Sequence, residues 1–500
     1  MSEQAASYRR ILKSSSVVGG ASVLNAVISL VRTKVLALLV GPVGIGLISL
    51  YRALLTTGTT VGMLGLDIVG TRQIAEADAA EDARGLAVAR RALLWSSITL
   101  ALLSGLVMLA LRAPIAAYVL GSRSQAWAVA WLALGLAVSV GAAAQGALIQ
   151  GMRRIGDIAR VTLYGGLLNT AAGVALVWRW RMHGLVFYIL VMPVANFLLG
   201  GWYCRKIPRP GHWSIAVAEL APHWKMLLTV GAPFMGGAVA TAAVQLWLRV
   251  QVTHTLGAAA LGQFQASYAV TQQYLALVLA AMAADYYPRL TGLFRDPAAA
   301  TRLVNEQTEI ALLLSGPILL LMIALAPWVV RLLYTAQFAP AAGVLRWQVL
   351  ADVLKLASWP LGFVFLAAGD GKTFFWTELV SLLVIVAVVA ALLRGFGLDV
   401  TGVAYLACYF VYLPIIYWLA RLRIGFRWEA PVARLLAALF ALTALAGVAA
   451  HYSRWGQGLG CAAAAGYAMF ALQRLSHKSD LGSGPVATLS TLVRRLRNGE

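Results

Sequence analysis

Three arginines stand inside otherwise apolar stretches of this 500-residue chain: Arg32, Arg52 and Arg249. An ionised side chain inside a membrane-spanning helix costs about 2.5–3.5 kcal/mol on insertion scales, so it normally faces a cavity or a partner. Arg32 lies nine residues before Gly41, Arg52 eight after Gly44 and Arg249 eight before Gly257. At 1.5 Å per helical residue that puts all three at one level, about 12 Å from the nearest turn. A guanidinium donates paired hydrogen bonds to oxyanions and keeps its charge at every working pH, so the chemistry such a group suits is binding of a phosphate or pyrophosphate. The competing reading is that each arginine meets a helix carbonyl or a carboxylate and only holds helices together. Lys34, two residues from Arg32 and so about 200° around the helix, is expected to turn its ammonium outward and is not counted as a ligand. Tyr51 and Tyr268 offer ring faces to a ligand, or serve as interfacial anchors.

The carboxylates suggest a second kind of chemistry. Asp352 and Lys355 lie near the middle of one apolar stretch at a spacing of i, i+3, which permits a local ion pair. They could neutralise one another, or form a gate that answers to a proton or a cation. Asp67 and Asp285 precede Arg72 and Arg289 by five and four residues, Glu306 and Glu309 open one helix, and Glu378 lies about a turn into another. These positions suit interfacial ion pairs, and together they could also close an inner gate. Asn25, Asn169, Gln145, Gln245, Gln251, Gln272 and Gln273 are polar residues in apolar stretches, explained as well by interhelical hydrogen bonds as by a cavity lining. No GxxxxGK[ST] pattern is present, which excludes a P-loop ATPase, and no HxxxE or Asp-rich metal motif occurs. Cys204, Cys408 and Cys461 stand singly, without disulfide or zinc spacing. No cofactor is expected.

The elements that position these residues are transmembrane helices. At 61% hydrophobic and 12% charged residues, the chain is far from a soluble composition, which carries about 25% charge. Its apolar runs of about 20 residues match the hydrocarbon core of a bilayer, and the alternating strands of a barrel are absent. Helices are expected at 14–40, 44–72, 90–111, 126–150, 156–178, 184–203, 225–255, 260–288, 303–328, 342–368, 374–395, 400–420, 432–450 and 456–473. That makes an all-α integral membrane protein of about 14 spans, with 12 to 14 as the range. The run from Ser14 to Val40 is too long for a signal-peptide core, so the first helix is expected to stay. With both termini on the cytoplasmic side, most of the 40 Lys and Arg fall inside, which satisfies the positive-inside rule in one orientation only. The net charge of +21 is therefore topological, and nucleic acid is not an expected partner. The tail carries Leu489, Leu492, Val493 and Leu496 at helical spacing with Arg494, Arg495 and Arg497, which suits an anionic leaflet or a solvated basic segment.

Sliding the chain on itself by 216 to 218 residues superimposes Arg32 on Arg249, Tyr51 on Tyr268, Arg72 on Arg289, Gly41 on Gly257, Gly46 on Gly262, Gly151 on Gly369 and Gly184 on Gly402. A register this stable over six helices implies two six-helix lobes. Since each lobe has an even number of spans, they form a parallel repeat about an axis along the membrane normal. The expected organisation is an N-terminal lobe over 1–203, a cytoplasmic loop rich in Pro, His and Arg over 204–224, a C-terminal lobe over 225–420, an additional helix pair over 421–473 and a basic cytoplasmic tail over 474–500. The outward loops, Gly41 to Val43 and Thr255 to Ala259 among them, are short.

A basic, Ser-rich lead, then Arg32-Thr-Lys34, Gly41-Pro-Val-Gly-Ile-Gly46, Tyr51-Arg52, Gly65-Leu-Asp67 and Arg72-Gln-Ile, resembles the lipid-linked O-antigen and polysaccharide translocases of the multidrug/oligosaccharidyl-lipid/polysaccharide exporter superfamily. Helix count and repeat extend the resemblance over the whole chain, while its sharpest motif occupies about the first 75 residues. The resemblance implies a MATE-like exporter fold in a bacterial inner membrane, with two lobes around a cavity that opens to each side in turn. It implies a flippase and not an enzyme, acting on an undecaprenyl-pyrophosphate-linked oligosaccharide, an O-antigen or exopolysaccharide repeat unit. Arg32, Arg52 and Arg249 would meet the pyrophosphate, Tyr51 and Tyr268 would stack on sugar rings, and membrane lipids, a polysaccharide polymerase and a chain-length regulator become candidate partners. The extra helix pair is similar to the lipid II flippase branch. The alternatives are that branch, a multidrug or cation antiporter of the same superfamily, whose cavity would favour carboxylates, and a membrane glycan ligase, which would need a sizeable outward loop.

Overall fold

The computed structural model describes residues 2–208, 211, 215–231 and 235–479, and of 2–26, 276–278, 280–284 and 477–479 the backbone alone. The amphipathic stretch expected between Leu489 and Arg497 lies outside the described residues. Among those residues every regular element is helical, and the α-helices number sixteen. They are α1 (Ser2–Met63), α2 (Leu66–Ala79), α3 (Ala83–Ala110), α4 (Arg112–Val119), α5 (Ala126–Gly151), α6 (Ile155–Trp180), α7 (Gly184–Arg205), α8 (Val217–Met226), α9 (Gly236–Leu293), α10 (Pro297–Ala324), α11 (Ala326–Leu333), α12 (Ala341–Ala367), α13 (Gly371–Phe396), α14 (Val400–Ile424), α15 (Ala430–Tyr452) and α16 (Arg454–Ser479).

Among the described residues, each of the fourteen expected spans falls largely on helix. Nine described helical stretches are long and apolar enough to cross a membrane, or ten with the bent pair Val217–Gly231 and Gly236–Leu275. Two of the nine, Val27–Met63 and Ile155–Arg205, each contain two of the expected helices. The protein is an all-helical, multi-pass membrane protein.

Three local expectations are corrected. The short turns at Gly41 to Val43 and Thr255 to Ala259 are single-residue breaks: helical geometry runs through α1 except at Gly41 (φ 60°, ψ −166°) and through α9 except at Gly257 (φ 86°, ψ 167°). Only glycine adopts such angles readily, and Pro42 follows with the φ that suits the start of a new helix. The expected second helix divides at Leu64 and Gly65, which take φ of 47° and 76°, and a β-carbon at Gly65 would stand 2.8 Å from the Cα of Gly231. Finally, the segment 204–224 is not all loop. It contains most of α8, whose first turn is tied by Glu219 Oε1 accepting from Ala216 N at 3.0 Å. Leu220 buries against Val88 and Ala92 of α3, and Arg84 pairs with Glu219 at 3.2 Å.

Packing divides the chain into two compact units, Met1–Gln265 with Leu333–Gln337, and Ala266–Leu332 with Phe338–Glu500. The division falls inside α9, so both glycine breaks belong to the first unit. There the repeat is visible as geometry. A β-carbon at Gly46 would lie 2.1 Å from the Ala258 carbonyl oxygen, and one at its repeat mate Gly262 would lie 1.9 Å from that of Pro42. The helix after each break thus crosses the residues around the other break at backbone contact, as small residues permit in membrane helices.

The second unit centres on α12, whose buried face includes Leu345, Val349, Asp352, Leu356 and Leu361. The additional pair, α15 and α16, packs on α10 through small residues: β-carbons at Gly316, Gly447 and Gly460 would stand 2.2, 2.8 and 2.5 Å from Tyr467, Ile323 and Ala324. Polar ties complete the contact. Arg474 of α16 pairs with buried Glu309 of α10 at 2.5 Å, and Arg346 of α12 donates to the Ala450 carbonyl at 2.9 Å.

Candidate functional site

In the first unit Arg32 and Arg52 stand on either side of the break at Gly41 in α1, and their charges act against one another. Arg32 is half-buried, and its Nη2 donates to Ser29 Oγ at 3.2 Å. Arg52 is exposed and makes no hydrogen bond or ion pair among the described residues. Both are close to further groups of the same unit, Arg32 to Tyr188 and Arg52 to Tyr334. Lys34 does not turn away as expected. It is half-buried and donates to the backbone carbonyl of Tyr334, because the 333–337 segment packs into this unit and supplies an acceptor. None of the described ion pairs involves Arg32 or Arg52. The group is cationic and leaves guanidinium donors without a carboxylate.

Arg249 is built differently. It is 7% exposed, and its donors are occupied: Nε by Ser49 Oγ at 2.9 Å, Nη1 by Gln245 O and Oε1 at 2.8 and 2.7 Å, and Nη2 by Gln265 Oε1 at 3.2 Å. Ser49 also donates to Gln265 at 2.7 Å, so one guanidinium closes a polar knot where the two broken helices cross. Tyr51 is buried, and its hydroxyl donates to Gln125 Oε1 at 3.3 Å. Asp67 is half-buried with Oδ1 lacking a hydrogen-bonding partner, while Arg72 pairs with Glu76 at 2.7 Å.

The second unit holds Asp352, Lys355, Glu378, Asp285 and Tyr268. Asp352 and Lys355 do not form the expected ion pair. Asp352 Oδ2 instead accepts from the Tyr274 hydroxyl of α9, and Lys355 Nζ sits 6.0 Å from the centre of the Tyr409 ring. The charge of Lys355 nevertheless acts on both Asp352 and Glu378. Glu378 Oε1 accepts from Tyr412 at 3.4 Å. Asp285 makes the surface pair with Arg289, at 3.0 Å and with both side chains more than half exposed. Tyr268 lies 5.9 Å, ring to ring, from Tyr405.

Ser49, Gln265, Tyr274 and Gln348 escaped the reading of the sequence. The first two are themselves separated by 216 residues, the register of the repeat, and that signal could have found them. Gln348 lies one helical turn from Asp352. No group of three or more His, Cys, Asp or Glu arranged to hold a metal occurs among the described residues.

Residues 35–343, more than half of the chain, match the polysaccharide biosynthesis protein family. The chain belongs to that family. No curated protein matches this polysaccharide biosynthesis protein by sequence, but its fold is shared with solved structures. An inward-facing multidrug resistance MATE family transporter of the MOP superfamily aligns with TM-score 0.65 at 16% identity, over 82% of this chain and 99% of its own. The lipid II flippase MurJ in an inward closed conformation aligns with TM-score 0.68 at 11% identity, over 92% and 99%. A MOP superfamily transporter from Pyrococcus furiosus aligns with TM-score 0.56 at 16% identity, over 82% and 96%. This polysaccharide biosynthesis protein therefore has a MATE/MurJ-like fold.

Proposed function

We propose that the protein is a flippase that moves an undecaprenyl-pyrophosphate-linked oligosaccharide, an O-antigen or exopolysaccharide repeat unit, from the cytoplasmic to the periplasmic leaflet of a bacterial inner membrane. The observation that carries this reading is the pair Arg32 and Arg52: two guanidiniums whose charges act on one another, with no ion pair to a carboxylate among the described residues. Holding like charges together is unfavourable unless an anion joins them, and a pyrophosphate accepts several charge-assisted hydrogen bonds at once. Lys34 adds positive potential from the same arm of α1. Arg249 keeps its donors on the protein and serves to fix the crossing that sets the spacing of the α1 arms.

Membership of a polysaccharide biosynthesis family supplies the saccharide, and the flippase and exporter folds around it supply the transport class. The headgroup enters from the cytoplasmic side, the arginines take the pyrophosphate, and alternating access reopens the cavity to the periplasm while the polyprenyl chain stays in lipid. No covalent bond is made or broken. Asp352, Lys355 and Glu378 are the coupling group, with a proton as the driving ion. Asp67 and Asp285 border the cytoplasm, and both termini lie on that side. Tyr268, paired with Tyr405, offers a ring face to sugars.

The test is flipping of a fluorescent polyprenyl-pyrophosphate oligosaccharide in proteoliposomes at matched protein levels. Arg32→Ala and Arg52→Ala are each expected to slow flipping about tenfold or more, since a charge-assisted hydrogen bond is worth about 1.5–3 kcal/mol. Wild-type rates in both variants would move the anion site elsewhere.

A further inference from the structure

Gln348 is 2% exposed, and neither its Nε2 nor its Oε1 has a hydrogen-bonding partner. Each unpaired buried polar group costs about 1–3 kcal/mol, and buried side-chain amides as a rule meet a protein group or an ordered water. The position of this amide is informative. On α12, Gln348 and Asp352 are at i, i+4 and therefore share a face, and Asp352 is 6% exposed. Tyr274 occupies one carboxylate oxygen, Oδ2, and the other makes no hydrogen bond among the described residues. Two neighbouring side chains thus present an amide donor, an amide acceptor and a carboxylate acceptor that do not satisfy one another.

We propose that Gln348 holds an ordered water against the Asp352 carboxylate, and that this water is the port through which protons reach Asp352. A water can accept from Nε2, donate to Oε1 and donate to the free carboxylate oxygen, which gives it the two to four polar partners that buried water takes. The proposal rests on the reading of Asp352 as a coupling group. Gln348 lies seven residues from the Ala341 end of α12, about 10 Å along the axis, and that end is the one the topology puts outside. A proton arriving through the water binds the carboxylate oxygen that Tyr274 leaves open, and Asp352 becomes neutral.

The groups that face this event are Tyr274 from α9, Tyr409 from α14 and Lys355 from α12 itself, with Glu378 of α13 acting on the same lysine. With Asp352 anionic, Lys355 is drawn by two carboxylates. With Asp352 protonated, Glu378 is its one remaining anionic neighbour within this cluster. Protonation at the port thereby redirects the pull on Lys355 from α12 toward α13, a displacement that links a proton to helix packing.

The first arm of the test uses a background in which Cys204, Cys408 and Cys461 are replaced by Ser. Gln348→Cys and Val349→Cys are compared, because Val349 is 0% exposed at the adjacent position. The probe is aminoethyl methanethiosulfonate, which reacts with the thiolate and so needs water at the sulfur. Gln348→Cys is expected to react at least about tenfold faster than Val349→Cys, and equal rates would overturn the water site. The second arm uses Gln348→Leu, which removes the unpaired amide and should fold. It is expected to flatten the pH dependence of flipping as Asp352→Asn does. A wild-type pH profile in Gln348→Leu alongside fast labelling of the cysteine would overturn the port. An unchanged profile in Asp352→Asn itself would instead sink the coupling reading, while the labelling result still decides whether water is held.

Discussion

Arg249→Ala is expected to destabilise the first unit by about 1.5 to 3 kcal/mol, the range for losing hydrogen bonds to a charged group. The guanidinium reaches Ser49 on one broken helix and Gln245 and Gln265 on the other, at the place where Gly46 and Gly262 bring the two backbones into contact. Its removal takes one donor from Gln265, which keeps the Ser49 hydroxyl, and one from Gln245, and it leaves the space of the guanidinium unfilled at the crossing. Thermal unfolding in detergent, followed by intrinsic fluorescence, should show a clear fall in melting temperature, whereas Arg52→Ala should melt like the wild type because Arg52 makes no hydrogen bond among the described residues. Equal melting of Arg249→Ala and the wild type would refute the structural role and return Arg249 to the pool of substrate ligands. Arg249→Lys is expected to recover little, since an ammonium cannot span acceptors set by a planar fork.

The second large effect lies at the additional helix pair. Glu309 has a side chain only 5% exposed, and Arg474 is its partner in the described ion pairs. Arg474→Ala takes a cationic partner from a carboxylate in the packed face of α10, and such one-sided removals cost about 3–5 kcal/mol when the pair is buried. Arg474 is itself 31% exposed, so the lower end of that range is expected. The double variant Glu309→Gln with Arg474→Ala should regain most of the loss, because the buried carboxylate charge is removed together with its cation. Melting curves of the two single variants and the double variant form a cycle. Additive losses would show that the two side chains act independently and that α16 is held by its apolar contacts alone.

Much of the fold is written in the sequence at the level of helices and breaks. Gly41 before Pro42 and Gly257 one register away mark the same positive φ twice, and apolar runs of bilayer length mark the spans. The sequence reading failed where a partner lies far along the chain. Asp352 and Lys355 look like a self-contained pair because local spacing is all that a helix reveals, yet Tyr274, 78 residues earlier, takes one carboxylate oxygen. Lys34 was expected to turn outward because helix geometry gives a direction and not an acceptor, and the Tyr334 carbonyl is 300 residues away. The three arginines share one depth and one setting in the sequence, which could not separate Arg249, whose donors are bonded within the protein, from Arg32 and Arg52. The helix Val217–Met226 was hidden inside a stretch rich in Pro, His and Arg, where Leu220 is the single buried residue of the element.

The central claim is that the protein carries an anionic, lipid-linked headgroup. The most direct measurement is transport by the wild-type protein in proteoliposomes, with a polyprenyl-pyrophosphate-linked oligosaccharide and an organic cation offered separately at equal concentration. Translocation of the pyrophosphate-linked saccharide, inhibited by excess polyprenyl pyrophosphate and accompanied by no transport of the cation, is the predicted result. Transport of the cation with an immobile pyrophosphate-linked saccharide would contradict the account and assign the protein to the antiporter class.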